Sequence, residues 1–124
     1  MKFAVFAALM AIALPAPALA ADWVLAAESI SDDKYYIDRQ SIHATPNGYK
    51  RAWILVYYAG PDQVGVTGYR KFQELDCARG RDRGLQITFY KGKKVLGTNT
   101  TPADWTYIVP ETNGEALFNF ICRK

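Results

Sequence analysis

The sequence predicts a small exported domain of the α+β class that is mainly β, with a single helix at its C-terminus. Three features of the chain predict it. The run from Tyr49 to Tyr58 is rich in β-branched and aromatic residues and lacks Gly and Pro. A second run, residues 85–90, alternates apolar and polar residues before a Lys-Gly-Lys turn. Near residue 112 the apolar spacing changes from that of a strand to that of a helix.

The first twenty residues have the pattern of a secretory signal peptide. Lys2 provides the positive end, an apolar run from Phe3 to Leu14 follows, and Ala18-Leu19-Ala20 resembles a cleavage site. The apolar run is too short to span a bilayer, for which about 20 residues are needed, and no second one follows. We expect residues 1–20 to be removed and residues 21–124 to form one soluble domain, periplasmic or secreted. Because no cysteine lies at the junction, we do not expect a lipoprotein.

The strands are predicted from runs of β-forming residues that turn signals separate. In chain order they are Trp23 to Ile30, Tyr35 to Asp38, the short Ser41 to Ala44, Tyr49 to Tyr58, Tyr69 to Cys77, an alternating strand with Leu85, Ile87 and Phe89 on one face, and its hairpin partner Lys94 to Thr98. Both faces of Tyr49–Tyr58 become apolar after its first residues. We therefore expect this strand in mid-sheet, with a packed layer over each face.

The C-terminal helix is predicted by a capping box, Thr112-x-x-Glu115. In this motif the Thr hydroxyl accepts a hydrogen bond from the N3 amide, and the Glu side chain reaches back to the cap. Leu117, Phe120 and Ile121 follow at the spacing of one helix face. We expect this helix to pack on the sheet and to cover one face of the central strand.

The exported chain contains two cysteines, Cys77 and Cys122. An even count in an oxidising compartment indicates one disulfide. A redox pair usually has Cys-x-x-Cys spacing, and two distant thiols with one histidine make a poor metal site. We expect a structural bridge that joins the helix to the strand ending at Cys77 and that contributes roughly 4 kcal/mol to stability in the chain-entropy model.

Charge is distributed unevenly along the chain. Between Arg70 and Lys94 there are eight basic and three acidic residues, a local net charge of +5, whereas the rest of the exported chain carries −3. The basic residues are Arg70, Lys71, Arg79, Arg81, Arg83, Lys91, Lys93 and Lys94. They are either solvated loop and edge-strand charges that keep the sheet soluble, or a surface for an acidic partner.

The sequence contains no residue constellation typical of an enzyme. The only histidine, His43, lies two residues from Ser41, a spacing that on a strand keeps the side chains about 6–7 Å apart. A small hydrolase using His43 is therefore a minor alternative. No phosphate-binding loop or metal-ligand spacing is present, so we expect no cofactor and no metal. Aromatic and basic residues alternate around Tyr69–Phe72 and Phe89–Lys91, as in single-stranded nucleic acid sites, but core packing explains them too, and we expect no specific nucleic acid.

A series of short motifs carries a resemblance when taken in order. It comprises Tyr35-Tyr36-Ile37-Asp38-Arg39-Gln40-Ser41-Ile42, then Trp53, Asp76-Cys77 with the arginines that follow, Trp105, Pro110, Gly114-Glu115 and Cys122. Together these motifs resemble the surface-adhesin protein E family, over the span from Trp23 to Cys122. The resemblance implies a single antiparallel sheet of about six strands, with a C-terminal helix held against it by a disulfide.

The resemblance also implies a function. It implies an outer-membrane adhesin that binds host matrix and serum proteins, among them vitronectin, laminin and plasminogen, and that can form a homodimer. The family's adhesin is a lipoprotein, and this sequence departs from that pattern. We expect an exported, non-enzymatic protein-binding module. The alternative is a periplasmic structural or accessory protein that docks on an envelope complex through an exposed sheet face or edge.

Overall fold

The computed structural model describes residues 20–123 as one antiparallel β-sheet with one α-helix packed against it. The predicted signal peptide lies outside the described residues, except for Ala20. The elements are β1 (Trp23–Glu28), β2 (Lys34–Asp38), a 3-10 helix (Arg39–Ser41), β3 (His43–Ala44), β4 (Lys50–Tyr57), β5 (Gly68–Asp76), β6 (Arg81–Lys91), β7 (Lys94–Asn99), β8 (Thr106–Tyr107) and α1 (Asn113–Cys122).

Six of the strands form the body of the sheet in the order β1-β2-β4-β5-β6-β7, and every neighbouring pair is antiparallel. The two-residue strands β3 and β8 pair with β4 and β6. The predicted architecture, one antiparallel sheet of about six strands with a C-terminal helix, is confirmed. The run from Tyr49 to Tyr58 forms β4, which lies between β2 and β5 as a central strand should.

Two local predictions differ from the structure, and one short strand was not predicted. The segment Ser41–Ala44 is not extended throughout, because Ser41 ends a 3-10 helix. The pairing of β5 with β6 shifts between Gly84 and Gln86, so Leu85 is the extra residue of a bulge. Gly84 and Gln86 pair with Gln73 and Phe72, which lie on opposite faces of β5, so the regular alternation predicted for this strand is interrupted at Leu85. The short strand β8 was not predicted from the sequence.

The hydrophobic core lies between α1 and one face of the sheet. Alternation along β4 places Ala52, Ile54 and Val56 on this face, and each is at most 3% exposed. Their neighbours in the core are Ile37 of β2, Leu75 of β5 and Ile121 of α1. Burying an aliphatic side chain of this size contributes about 1.5–3 kcal/mol, so this one face supplies most of the hydrophobic stabilisation.

No helix packs over the other face of the sheet within residues 20–123, and we call it the open face. It receives the alternate residues of β4, namely Arg51, Trp53, Leu55 and Tyr57, and none of these is buried. The expected packed layer over each face of the central strand is therefore wrong for this face. The described chain has one α-helix, which packs on the opposite side, and the open face is partly shielded by neighbouring side chains and, near β6, by Trp105.

The helix begins at the predicted cap. Thr112 Oγ1 accepts a hydrogen bond from the backbone amide of Glu115 at 3.2 Å. The carboxylate of Glu115 reaches one residue further back than predicted, to the amide of Glu111 at 3.1 Å. Glu111 has a φ of 63°, so the chain turns sharply before the cap and brings this amide within reach. The predicted Cys77–Cys122 disulfide is confirmed, and it ties the end of α1 to the residue after β5.

Removing this disulfide should release α1 before the sheet unfolds. The bridge joins residues 45 positions apart, so its loss in the Cys77→Ser/Cys122→Ser double variant should cost about 4 kcal/mol of unfolding free energy. Urea unfolding measures the loss, and amide hydrogen exchange should show α1 exchanging well before β4. Equal unfolding midpoints with and without reductant in the native protein would contradict this expectation.

Candidate functional site

A band of aromatic rings crosses the open face. Trp53 and Phe72 lie side by side on β4 and β5, with ring centroids 4.8 Å apart, and His43 stacks on Phe72 at 6.4 Å. Tyr36 and Tyr57 form an edge-to-face pair at 5.9 Å. Tyr57 is 53% exposed, and the other two rings of β4 and β5 are half-buried. The sheet thus presents an ordered aromatic surface to solvent.

A cleft of about 320 Å³ opens at one end of this band, and we call it the Gly68 cleft. Gly68 lies in register between Tyr57 of β4 and Tyr90 of β6, and all three residues line the cleft. A Cβ atom at Gly68 would lie 2.2 Å from the carbonyl oxygen of Val56, so another residue would displace the backbone. Other walls of the cleft include Trp23, Leu55, Arg70 and Lys93. Its volume falls at the lower end of typical ligand sites.

Buried Glu74 organises arginines at the other end of β5. Its side chain is 1% exposed and accepts hydrogen bonds from Arg51 Nε at 2.8 Å and from Arg83 Nε and Nη2 at 2.9 and 2.8 Å. Burial by itself raises the pKa of Glu74, but the hydrogen bonds and charges of both arginines outweigh it and hold the pKa below its ordinary value. The carboxylate is therefore ionised at neutral pH and fixes both guanidinium groups.

Asp76 repeats this arrangement two residues later. Its 2% exposed side chain accepts from Arg81 Nε at 2.9 Å and from Arg79 Nη1 at 3.2 Å. Burial again raises the pKa of Asp76, and the arginine bonds more than offset it, so the net shift is downward. Trp105 lies 4.7 and 4.6 Å from the guanidinium carbons of Arg81 and Arg83, within cation–π range. Two arginines for each carboxylate leave this end of the open face net positive.

The eight predicted basic residues lie on both faces of the sheet. Arg70 and Lys93 line the Gly68 cleft, and Lys91 and Lys94 are exposed on the adjoining β6–β7 hairpin. Arg79, Arg81 and Arg83 surround the two carboxylates, whereas Lys71 lies on the helix side of the sheet. Because Arg81 and Arg83 hold buried carboxylates, reversing their charge should disturb folding.

Arg70 is the basic residue best placed to meet a partner. It is exposed, and no carboxylate of residues 20–123 forms an ion pair with it. Its guanidinium carbon lies 5.2 Å from the centroid of Trp53, which positions the charge between the aromatic band and the cleft. At this distance the cation can make a cation–π contact with the ring, which favours one position of the Arg70 side chain.

Ser41 and His43 form a structural turn. Ser41 Oγ donates to the carbonyl oxygen of Asp38 at 2.7 Å and accepts from the amide of Trp53 at 2.8 Å. His43 Nδ1 lies 2.8 Å from the carbonyl oxygen of Ser41. The serine hydroxyl is thus bonded to backbone groups and not to the imidazole.

Across the described residues there is neither a cluster of three metal-binding side chains nor a helix with the length and apolarity of a membrane span.

Sequence reasoning missed the Gly68 cleft and the arginine–carboxylate clusters. Glu74 and Asp76 alternate on β5 with the same period as Arg81 and Arg83 on β6, a pattern typical of cross-strand ion pairs. That pattern could have predicted the ion pairs from the sequence. No sequence pattern predicts the cleft, because the cleft depends on which residues are next to Gly68 on the neighbouring strands.

Acid should destabilise the fold through these two clusters. The folded pKa of each carboxyl group lies below its unfolded value of about 4, so the stabilisation is complete above about pH 4 and is lost as the pH falls through the folded value. Glu74→Gln should lower the unfolding free energy at neutral pH by about 2 kcal/mol and flatten the acid dependence.

Urea unfolding over a pH series checks this prediction. The matched control is Glu28→Gln, because the Glu28 side chain is 44% exposed and its one ion pair among residues 20–123, with Lys34, is on the surface. An equally flattened acid dependence in both variants would show that the buried carboxylate has no special part.

Comparison with known proteins identifies structures of the same fold. Protein E of Haemophilus influenzae in crystal form II is 18% identical, with a TM-score of 0.57, and the match covers 89% of this chain and 94% of that one. The selenomethionine form gives 18% identity and a TM-score of 0.58 over 89% and 92% of the two chains. Protein E from non-typeable Haemophilus influenzae gives 15% and 0.53 over 89% and 81%. At such identities the likeness shows the fold alone.

None of the curated proteins matches this chain significantly. The model of one family, described as surface-adhesin protein E, matches residues 23–123, nearly the whole described chain. The chain therefore belongs to the surface-adhesin protein E family.

Proposed function

We propose that this protein is an exported, non-enzymatic protein-binding module that uses its open face, with the Gly68 cleft as the anchor point, to bind a host matrix or serum protein. Family membership supports the adhesin class. The observation that carries the site is that no helix within residues 20–123 packs over the open face, although aromatic rings are aligned across it and Tyr57 and Arg70 are exposed there.

The residues around the cleft are of the kinds that dominate binding energy in protein interfaces. Trp, Tyr and Arg are enriched among hot spots, and the cleft is lined by Trp23, Tyr57, Arg70 and Tyr90. Tyr57 and Tyr90 lie on hydrogen-bonded strands, so their backbones are already ordered before a partner arrives. A side chain of the partner that enters between these rings would be enclosed on several sides, as an interface anchor requires.

The charges favour a partner with an acidic surface. Arg70 and Lys93 contribute positive charge at the cleft, and the arginine clusters around Glu74 and Asp76 add a net positive charge at the other end of the same face. Complementary charges increase the association rate and select the partner. Because the cations at the cleft are solvent-accessible, their contribution should weaken as salt screens it.

Arg70→Glu should weaken partner binding at least tenfold, since it replaces an interface cation by an anion. Tyr57→Ala should have an effect of similar size, because it removes one wall of the cleft. The measurement is saturation binding of the purified, disulfide-bonded protein to immobilised vitronectin, laminin and plasminogen over a salt series. Heparin is included to separate protein recognition from plain polyanion binding.

The matched control is Arg123→Glu, which makes the same charge reversal at the exposed end of α1, away from the cleft. Equal affinities for the native protein, Arg70→Glu and Tyr57→Ala would refute the open face as the binding surface. Absence of saturable binding to all three proteins would refute the adhesin function and favour docking on an envelope complex. If the native protein forms a homodimer and Tyr57→Ala is monomeric, the open face binds a second copy of this chain instead.

A further inference from the structure

A separate cavity of about 190 Å³ lies on the helix side of the sheet, between the first turn of α1 and strands β5 and β6. Its volume has room for about six water molecules. The polar walls are Lys71, Gln73, Asp82, Asn113 and Gly114, and Leu117 contributes to the apolar wall. The cavity faces away from the open face, since β5 alternates and sends Arg70 to one side and Lys71 to the other.

Gln73 brings an unused hydrogen-bond acceptor to this cavity. The residue is 5% exposed, and its Oε1 atom has no hydrogen-bond partner among residues 20–123. Buried side-chain oxygens without a partner are rare in folded proteins, and each requires an explanation. Gln73 lines the cavity, so a molecule held there with an N–H or O–H group would satisfy it.

Lys71 makes the same cavity attractive to a negative charge. Its side chain runs across Gly84, with Cδ 3.2 Å from the position that a Cβ there would occupy. Its ammonium group forms no ion pair within the described chain. Burial lowers the pKa of Lys71, and the charge of Asp82 only partly opposes this. An anion beside Lys71 would stabilise the charged form.

The first turn of α1 adds two more donors. Thr112 accepts from the amide of Glu115, but the amides of Asn113 and Gly114 have no acceptor among residues 20–123. These amides lie at the positive end of the helix dipole, where anions bind favourably. The cavity therefore combines donors for an anion with one unpartnered acceptor.

We propose that this cavity binds a small carboxylate that also carries a hydrogen-bond donor, such as a free amino acid or a hydroxy acid. Its carboxylate lies beside Lys71 and the amides of Asn113 and Gly114, and its ammonium or hydroxyl group donates to Gln73 Oε1. The carboxylate of Asp82 attracts an ammonium group on the same ligand, and Leu117 contacts a short apolar side chain of the ligand. The cavity volume restricts the ligand to a few carbon atoms.

The test uses glycine, glycolate, acetate and inorganic phosphate as probes of the full disulfide-bonded protein. Binding is measured by amide chemical shifts and by the thermal midpoint, which a ligand specific for the folded state raises. Glycine or glycolate should shift the amides of Gln73, Asn113 and Gly114 and bind at least tenfold more tightly than acetate, which lacks the donor. In Gln73→Leu this preference over acetate should disappear.

Lys71→Met should abolish the ligand-induced rise in the thermal midpoint, because it removes the cation beside the ligand carboxylate. The same variant should raise the thermal midpoint of the unliganded protein, because it removes a charge that burial disfavours. The matched control is Arg70→Met, which removes the neighbouring cation from the opposite face and should leave probe binding unchanged. Arg70→Met should weaken binding of a protein partner if the open face is the adhesin surface. The open-face proposal and the cavity proposal can therefore be refuted separately.

Three outcomes would overturn the proposal. The first is that no probe shifts the amides of Gln73, Asn113 and Gly114, which would make the cavity a water site. The second is equal affinity for acetate and glycolate, which would leave the Gln73 oxygen without a role. The third is a response to phosphate alone, which would indicate a simple anion site.

Discussion

The packing of α1 on one face of β4 is the contact on which the rest of the structure depends. Residues Ala52, Ile54 and Val56 point toward the helix because side chains alternate along a strand, and Ile121 closes over them. The Cys77–Cys122 bridge holds the helix there. One helix of ten residues covers one face of a six-stranded sheet, so no helix packs on the opposite face within the described chain. The open face is a direct consequence of this arrangement.

The open face is stabilised by pairing within its own surface. Aromatic rings on adjacent strands contact one another, and Arg70 lies over Trp53. At the other end, Glu74 and Asp76 each hold two guanidinium groups, and Trp105 lies against two of the four. Burying a carboxylate is costly unless it is well paired, so these clusters fix the arginines in position more than they add net stability. The result is a rigid, net positive, partly aromatic surface.

Strand β5 serves both sides of the molecule. Neighbouring residues Arg70 and Lys71 carry the same charge but meet different surroundings: Arg70 is exposed at the Gly68 cleft, whereas Lys71 lies over Gly84 beside the first turn of α1. Large aromatic walls suit a side chain of a protein partner, and a small polar cavity suits a small ion. The two proposed sites therefore differ in ligand class because the two faces of one strand differ in what covers them.

Local patterns in the sequence determined most strands, the Thr112 cap and the cysteine pairing, because these depend on residue type, short spacing and cysteine count. These local patterns could not determine which residues are neighbours on adjacent strands of the sheet. Register decided that Gly68 stands between Tyr57 and Tyr90, and the bulge at Leu85 decided which residues of β6 face the helix. The eight basic residues were found by composition, yet only the tertiary structure separated the cations that hold Glu74 and Asp76 from those that do not. The tertiary structure decided these points because each depends on contacts between strands or between sheet and helix, which residue order alone does not specify.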